Sequence, residues 1–317
     1  MDSPNVIYIS GISPRSGTNY LHTLLSRHPA CAPVADGEDY FFFKLDFLRL
    51  FVGAVYTKWD DDWELKRVST EGDLYAALGC GLTEFLATHT DPEREATSES
   101  IETVLTKTPH PRNIHFFPSL FETGRLIILI RDGRAVTESS MRTFDDSFDS
   151  AALGWRDGAR KVLRFVDEYG WRSDWHRIVK YETLVEETAG TVQSLCETTG
   201  LFPSDYPFES LEDTEVIGSS TFGKNDNVTW EPKEDDGSFD PLSRFASWED
   251  SQHRRFEWLA GDELRALGYE ADSPSFSLVS RLRNRGRDVI GLPRRIRRAA
   301  RRKLKAALFQ RVVGRRD

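Results

Sequence analysis

Residues Gly11 to Thr18, GISPRSGT, follow the apolar run Val6-Ile7-Tyr8-Ile9 and lead into an amphipathic segment. Strand, small-residue loop and helix is the layout in which backbone N–H groups and the positive end of a helix dipole hold an anion. The loop stops short of the triphosphate motif G-x-x-x-x-G-K-[ST]. Ser16-Gly17-Thr18 has no lysine before the hydroxyl, and the positive charge comes earlier, from Arg15. Alone, the stretch reads equally as an anion cradle or as a tight turn before a helix. Arg131 shifts that balance. It follows the run Arg125 to Ile130, which places a guanidinium at the carboxyl end of a strand, where open α/β sheets bind ligands. Ser139 comes eight residues after it, inside the next helical pattern.

The elements that must hold these groups are legible as periodicity. Four runs read as strands: Asn5–Ser10, Thr103–Thr106, Arg125–Ile130 and Arg177–Lys180. Helical patterns lie between them, among them Ala135–Arg142 and Leu153–Glu168. Buried strands alternating with helices predict an α/β fold: a single P-loop-like domain with a central, mostly parallel sheet flanked by helices. Residues 1–272 are expected to form that domain, with the aromatic-rich segment Tyr40 to Asp91 as helices inserted on one side. Thr214 to Asp240 is polar and reads as a surface loop. Residues 273–317 form a basic tail, in which Pro293 to Val313 predicts a basic amphipathic helix.

The net charge of −9 hides an asymmetry. From Arg281 onward there are 15 Lys/Arg against two acids, while the first 280 residues carry 27 basic and 49 acidic side chains. Arginine outnumbers lysine 32 to 10. Such an acidic, lysine-poor body fits a halophile or, equally, a GC-rich genome. Cys31, Cys80 and Cys196 are dispersed and no histidine spacing matches a metal site, so no metal is expected. Met1 runs almost directly into the first strand and no apolar run spans a bilayer, so the expected location is cytoplasmic.

With Arg15, Arg131 and Ser139 together, the sequence resembles the sulfotransferases that use 3′-phosphoadenosine 5′-phosphosulfate (PAPS). Pro14-Arg15-Ser16-Gly17-Thr18-Asn19 is similar to the family's [KR]-S-G-T-[TN] loop, and Arg131 with Ser139 matches its R-x7-S pair. The wording Arg131-Asp-Gly-Arg-Ala and the pair His28-Pro29 look especially like tyrosylprotein sulfotransferases and their prokaryotic relatives. Val179-Lys-Tyr181-Glu-Thr-Leu184, Ile217-Gly-Ser219-Ser220 and Leu242-Ser-Arg244-Phe245 resemble three further cofactor segments. The match spans roughly residues 5 to 270 and leaves the tail outside.

The resemblance implies a sulfotransferase with PAPS as co-substrate and no metal. Arg15, Ser16, Gly17, Thr18 and Asn19 would hold the 5′-phosphate, and Arg131 and Ser139 the 3′-phosphate. Tyr181, Ser219, Ser220 and Arg244 would complete the nucleotide site. Lys107 would stabilise the transferred sulfuryl oxygens and leaving phosphate, as Arg15 does from the loop. Arg134 is expected to be a surface residue at a helix start. A hydroxyl nucleophile needs a base: Gly37-Glu38 matches the tyrosylprotein branch, with Asp36 and Asp39 beside it. His110 of Lys107-Thr-Pro-His110 is the other candidate.

The acceptor is expected to be a sugar hydroxyl of a surface or lipid-linked glycan, with protein tyrosine as the alternative. The basic tail suits an anionic membrane surface, making the protein peripheral on the inner face. Nucleic acid is disfavoured as its partner. A P-loop nucleotide kinase and a non-catalytic nucleotide- or membrane-binding protein are the readings from other classes. The absent G-K-[ST] lysine counts against the first, and the intact set Arg15, Lys107, Arg131 and Ser139 against the second.

Overall fold

Strand β1 (Asn5–Gly11) buries successive side chains on opposite faces of a sheet. Val6 and Tyr8 pack with Leu126, Ile128 and Ile130 on one side, and Ile7 and Ile9 with Leu105, Ile127 and Leu129 on the other. A strand buried on both faces reads as a continuous apolar run, which is why these segments stand out in the sequence. In the computed structural model β1 is joined by β2 (Cys31–Glu38), β3 (Thr103–Thr108), β4 (Arg125–Ile130) and β5 (His176–Lys180). All pairings are parallel, in the order β2-β3-β1-β4-β5. The structure describes residues 4–91, 103–213, 217–219, 230–232, 242–270, 278 and 280–288, without the side chains of Asp36, residues 212–213 and the two short segments.

The helices are α1 (Thr18–Ser26), α2 (Phe41–Lys58), α3 (Glu64–Val68), α4 (Glu71–Ala87) and α5 (Phe117–Leu120), followed by α6 (Gly133–Phe144), α7 (Phe148–Tyr169), α8 (Tyr181–Glu186), α9 (Thr188–Thr199) and α10 (Asp250–Ala266). Leu21, Leu24 and Leu25 of α1 cover one face with Val192 and Leu195 of α9. The other face is covered by Trp155, Val162 and Phe165 of α7, Phe256 and Leu259 of α10, and Phe42 of α2. Each such fully buried aliphatic or aromatic side chain contributes roughly 1.5–3 kcal/mol. The α/β architecture is the expected one, and Tyr40 to Asp91 is helical as the sequence indicates.

Chain direction creates the site. From β1 the chain crosses to β2 on one side, whereas from β4 it crosses to β5 on the other. The carboxyl ends of β1 and β4 therefore flank the crevice where open α/β sheets take ligands. The Gly11–Gly17 loop and Arg131 leave the sheet at those two ends, joined by Ile12 N–H donating to the Leu129 carbonyl at 2.9 Å.

Three expectations need correction or extension. β2 is absent from the sequence-based set because Cys31-Ala-Pro-Val-Ala-Asp-Gly-Glu38 has no apolar alternation. It survives at the sheet edge, where proline is tolerated, and its register breaks between Pro33 and Glu38. The Thr214–Asp240 segment, expected as a loop, includes strands β6 (Ile217–Ser219) and β7 (Trp230–Pro232), paired antiparallel. Part of the basic tail expected over residues 273–317 packs on the body. Residues 280–288 are helical, and Asp288 and Asn284 are bound by the body. Buried Arg255 bridges Asp149 at 2.5 Å and Asp288 at 2.7 Å, and Trp258 Nε1 donates to Asp288 at 3.0 Å. The helix expected over Pro293–Val313 lies outside the described residues. Among the described residues no helix is long and apolar enough to cross a membrane.

Candidate active site

The loop after β1 turns through two left-handed residues, Arg15 (φ 75°) and Gly17 (φ 95°). Gly17 caps α1 with no side-chain hydrogen bond, and the first turn carries no acidic residue. The first N–H groups of α1 therefore lack the side-chain acceptor that usually caps them, which leaves them as donors at the end of the loop after β1. Only glycine fits position 17. A Cβ there would overlap the ring of Tyr181, which packs against the loop. Gly17→Ala is expected to cost about 1–3 kcal/mol through backbone strain and overpacking, read as a lower melting temperature. An unchanged melting temperature would show that the Tyr181 ring is not fixed there.

Three guanidiniums converge behind this loop. Arg15 Nε and Arg244 Nη1 both donate to Ser139 Oγ, at 3.1 and 3.3 Å. Arg131 Nη1 donates to the Arg15 carbonyl at 3.0 Å, and its guanidinium lies 4.2 Å from the Tyr181 ring centroid. Burial, then the positive charges of Arg244 and Arg131, bring Arg15 down to about 10. Burial and the charges of Arg131 and Arg142 likewise lower Arg244. Like charges gathered in a buried setting repel unless an anion joins them, so the cluster fits a phosphorylated ligand. Arg15 and Ser139, expected at separate phosphates, are in contact, so the two ends share one cluster.

Neighbouring elements hold the three arginines in place. Arg134 is not a bare surface residue: it pairs with Asp132 at 2.6 Å and its guanidinium covers the Phe245 ring at 4.3 Å. Trp248 Nε1 donates to Glu138 at 2.8 Å. Together these contacts pin the 242–248 segment to α6 and aim Arg244 at Ser139. Glu182 accepts from Asp132 N–H at 2.9 Å and from the Tyr269 hydroxyl at 3.0 Å, tying the turns after β4 and β5 together.

The second cluster lies between β2 and β3. Their register sets Glu38 opposite Lys107, and Lys107 Nζ donates to Glu38 Oε1 at 2.6 Å. Burial holds the buried ammonium below the ordinary lysine range, and the bond to Glu38 offsets part of that. Asp39 is already engaged. It accepts from Thr106 Oγ1 at 2.7 Å, Phe41 N–H at 2.6 Å and the Tyr8 hydroxyl at 3.3 Å, and burial pushes it up to about 6. The side chain of Asp36 lies outside the described residues.

A cleft of about 1740 Å³ opens beside Ser13 and Pro14 of the loop. Tyr40, Phe43, Phe47 and Leu50 line it on the α2 side, and Asp157, Lys161 and Glu168 on the α7 side. His110 sits in its wall, 5.6 Å from Phe43 between ring centroids. Glu38 meets the cleft through Tyr40, whose phenol is pushed up to about 12 by burial and a hydrogen bond to Glu38. Thr18 is buried against Gly11, and Ser16 Oγ is bonded to the Ser13 carbonyl within the loop. Asn19 follows Thr18 in the first turn of α1. Ser219 belongs to β6, while its side chain and all of Ser220 lie outside the described residues. His22 is a site neighbour that sequence reading passed over. Among the described residues no group of His, Cys, Asp or Glu could hold a metal ion.

The parallel sheet, cradle and arginine cluster define an anion-binding α/β enzyme scaffold. The sequence profile of the sulfotransferase family matches residues 7–205, and the chain belongs to that family. It is similar to the solved sulfotransferase domain from the curacin biosynthetic pathway, with 17% identity over 85% of this chain and 99% of that one (TM-score 0.47). The sulfotransferase domain of the Synechococcus PCC 7002 olefin synthase is 17% identical, over 86% and 98% of the two chains (TM-score 0.48). Mouse sulfotransferase SULT7A1, solved with PAP, is 10% identical over 82% and 85% (TM-score 0.41). No curated protein matches the chain.

Proposed function

We propose that this sulfotransferase takes its sulfuryl group from PAPS and delivers it to a sugar hydroxyl held in the cleft. The observation that carries the donor is the meeting of Arg15 and Arg244 at Ser139, with Arg131 on the Arg15 carbonyl, beside the uncapped start of α1. Two phosphate groups give such a cluster the negative charge it lacks, and charge-assisted bonds from guanidiniums are the strong ones. When bound, PAPS supplies an activated sulfuryl group on a good leaving phosphate.

The chain's own residues do the rest. The loop N–H groups fix the 5′ end, Arg131 and Ser139 the 3′ end, Arg15, bonded to Ser139, reaches between the two, and Tyr181 holds the loop's shape. Lys107 brings a buried positive charge to where negative charge builds up on transfer, and Glu38 takes the proton of the attacking hydroxyl. His110, in the cleft wall beside Phe43, orders the acceptor.

The cleft supports a sugar as the acceptor class. Tyr40 is 46% and Phe47 37% exposed on the α2 wall, which is more ring surface than a closed core leaves open. The facing wall is charged and hydrogen-bonding. Ring faces opposite polar groups suit a pyranose, which has C–H faces and a hydroxyl rim. Incubation with radiolabelled PAPS and a panel of oligosaccharides, tyrosine peptides and lipid alcohols is the test, with label expected in the sugars. Label in tyrosine peptides alone would overturn the acceptor. ATP turnover without PAPS turnover would overturn the donor.

A further inference from the structure

His22 lies one helical turn beyond Thr18 on α1, on the face that looks toward the ends of β2 and β3. Its Nε2 is buried and has no hydrogen-bond partner. The neutral imidazole carries one acceptor nitrogen, and we take the unpartnered Nε2 as that acceptor, with Nδ1–H toward the Leu105 backbone. Burial and the nearby Lys107 charge hold the imidazole down to about 4, so it is neutral at every pH where the enzyme would work. The empty Cβ position of Gly37 marks the space between the two groups. It lies 3.6 Å from His22 Cε1 and 3.7 Å from Lys107 Nζ. Gly37 itself has φ 68°, a conformation that side chains rarely adopt, so the backbone keeps that space clear.

A buried acceptor without a donor costs stability, and such groups in native structures call for an explanation. Here a donor is close by. Lys107 has three N–H groups, one of them committed to Glu38. Lys107 holds Oε1 of Glu38, and a carboxylate bonded to an ammonium is a weaker base than one whose cation is shared with a second acceptor. We propose that His22 is a positioning residue for Lys107: its Nε2 receives a Lys107 N–H when Glu38 turns to the acceptor. The ammonium then stays charged and fixed, and no proton changes owner between Lys107 and His22. The inference rests on the roles of Lys107 and Glu38 proposed above.

The test combines kinetics with an activity-independent readout. His22→Leu is expected to lower kcat about tenfold or more, matching loss of one hydrogen bond to a charged group, with the PAPS KM unchanged. His22→Gln, whose amide oxygen can accept at the same reach, should recover most of that loss. A merely structural histidine would show the same defect in both variants, or a changed PAP affinity, and either outcome overturns the proposal. Wild-type kcat in His22→Leu overturns it too. In the second arm, the Nε2 resonance of His22 is followed by 15N NMR in wild type and in Glu38→Gln. Weakening the Lys107–Glu38 bond should shift the resonance in the direction of hydrogen-bond acceptance. An unmoved resonance means that Lys107 does not reach His22. This arm stays decisive if no turnover is found, so failure of the proposed reaction and failure of the His22 role are told apart.

Discussion

Arg131→Ala is expected to raise the PAPS KM about a hundredfold while kcat stays within about threefold, since in the proposed site its contacts are to the nucleotide and not to the reacting atoms. One or two charge-assisted bonds account for a change of that size. The position also has structural duties: Arg131 Nη1 holds the Arg15 carbonyl and its guanidinium covers Tyr181, which in turn packs on Gly17. Alanine therefore loosens the whole cradle, whereas Arg131→Lys keeps the charge and loses only the planar fork, so an intermediate KM is expected. Titration with PAP at two salt concentrations checks this. Wild-type affinity in Arg131→Ala would remove Arg131 from the nucleotide site. The Arg15 guanidinium reports the same change: with one of its two positive neighbours gone, its pKa should rise from about 10 toward the ordinary value.

What could be read in advance follows from which physical signals are local. The runs Val6–Ile9 and Leu126–Ile130 announce a parallel sheet because burial on both faces leaves no polar alternation. The loop between Gly11 and Thr18 is legible because its backbone demands small residues in sequence. β2 is not, since its stability comes from parallel pairing with β3 at the edge of the sheet and not from its own composition. That strand delivers Glu38 to Lys107, so half of the second cluster rests on an element with no signature. His22 escapes for a related reason: a polar residue in a helix reads as solvent-facing until the neighbouring sheet is in place. Its spacing of four from Thr18 is the signal that could have found it. The contact between Arg15 and Ser139 joins residues far apart in the chain and depends on how the β1 and β4 loops meet. The tail shows the limit of composition. Its basic character is plain, yet Asp288 and Asn284 inside it dock on Arg255.

Lys107→Met and Glu38→Gln are expected to give the largest losses in turnover, each about 10²–10³ in kcat, with PAPS affinity retained. In the proposed mechanism, removing Lys107 takes away a buried cation at the site of developing negative charge, and removing the Glu38 charge takes away the base. The two side chains share one bond of 2.6 Å, so the double variant should be little worse than the more damaged single one. Their pH dependence distinguishes the roles. Burial already holds the Lys107 ammonium below its ordinary range, and the Glu38 carboxylate is the main group that counteracts it. In Glu38→Gln the lysine should lose its proton at lower pH, so the alkaline limb of the residual pH–rate profile moves downward. His110→Ala should behave otherwise, raising the acceptor KM with kcat largely kept, because His110 lines the cleft beside Phe43. Wild-type kcat in Glu38→Gln together with a collapsed kcat in His110→Ala would transfer the base role to the histidine. The Lys107–Glu38 bond would then be a structural pair that keeps the ammonium charged and aimed into the crevice.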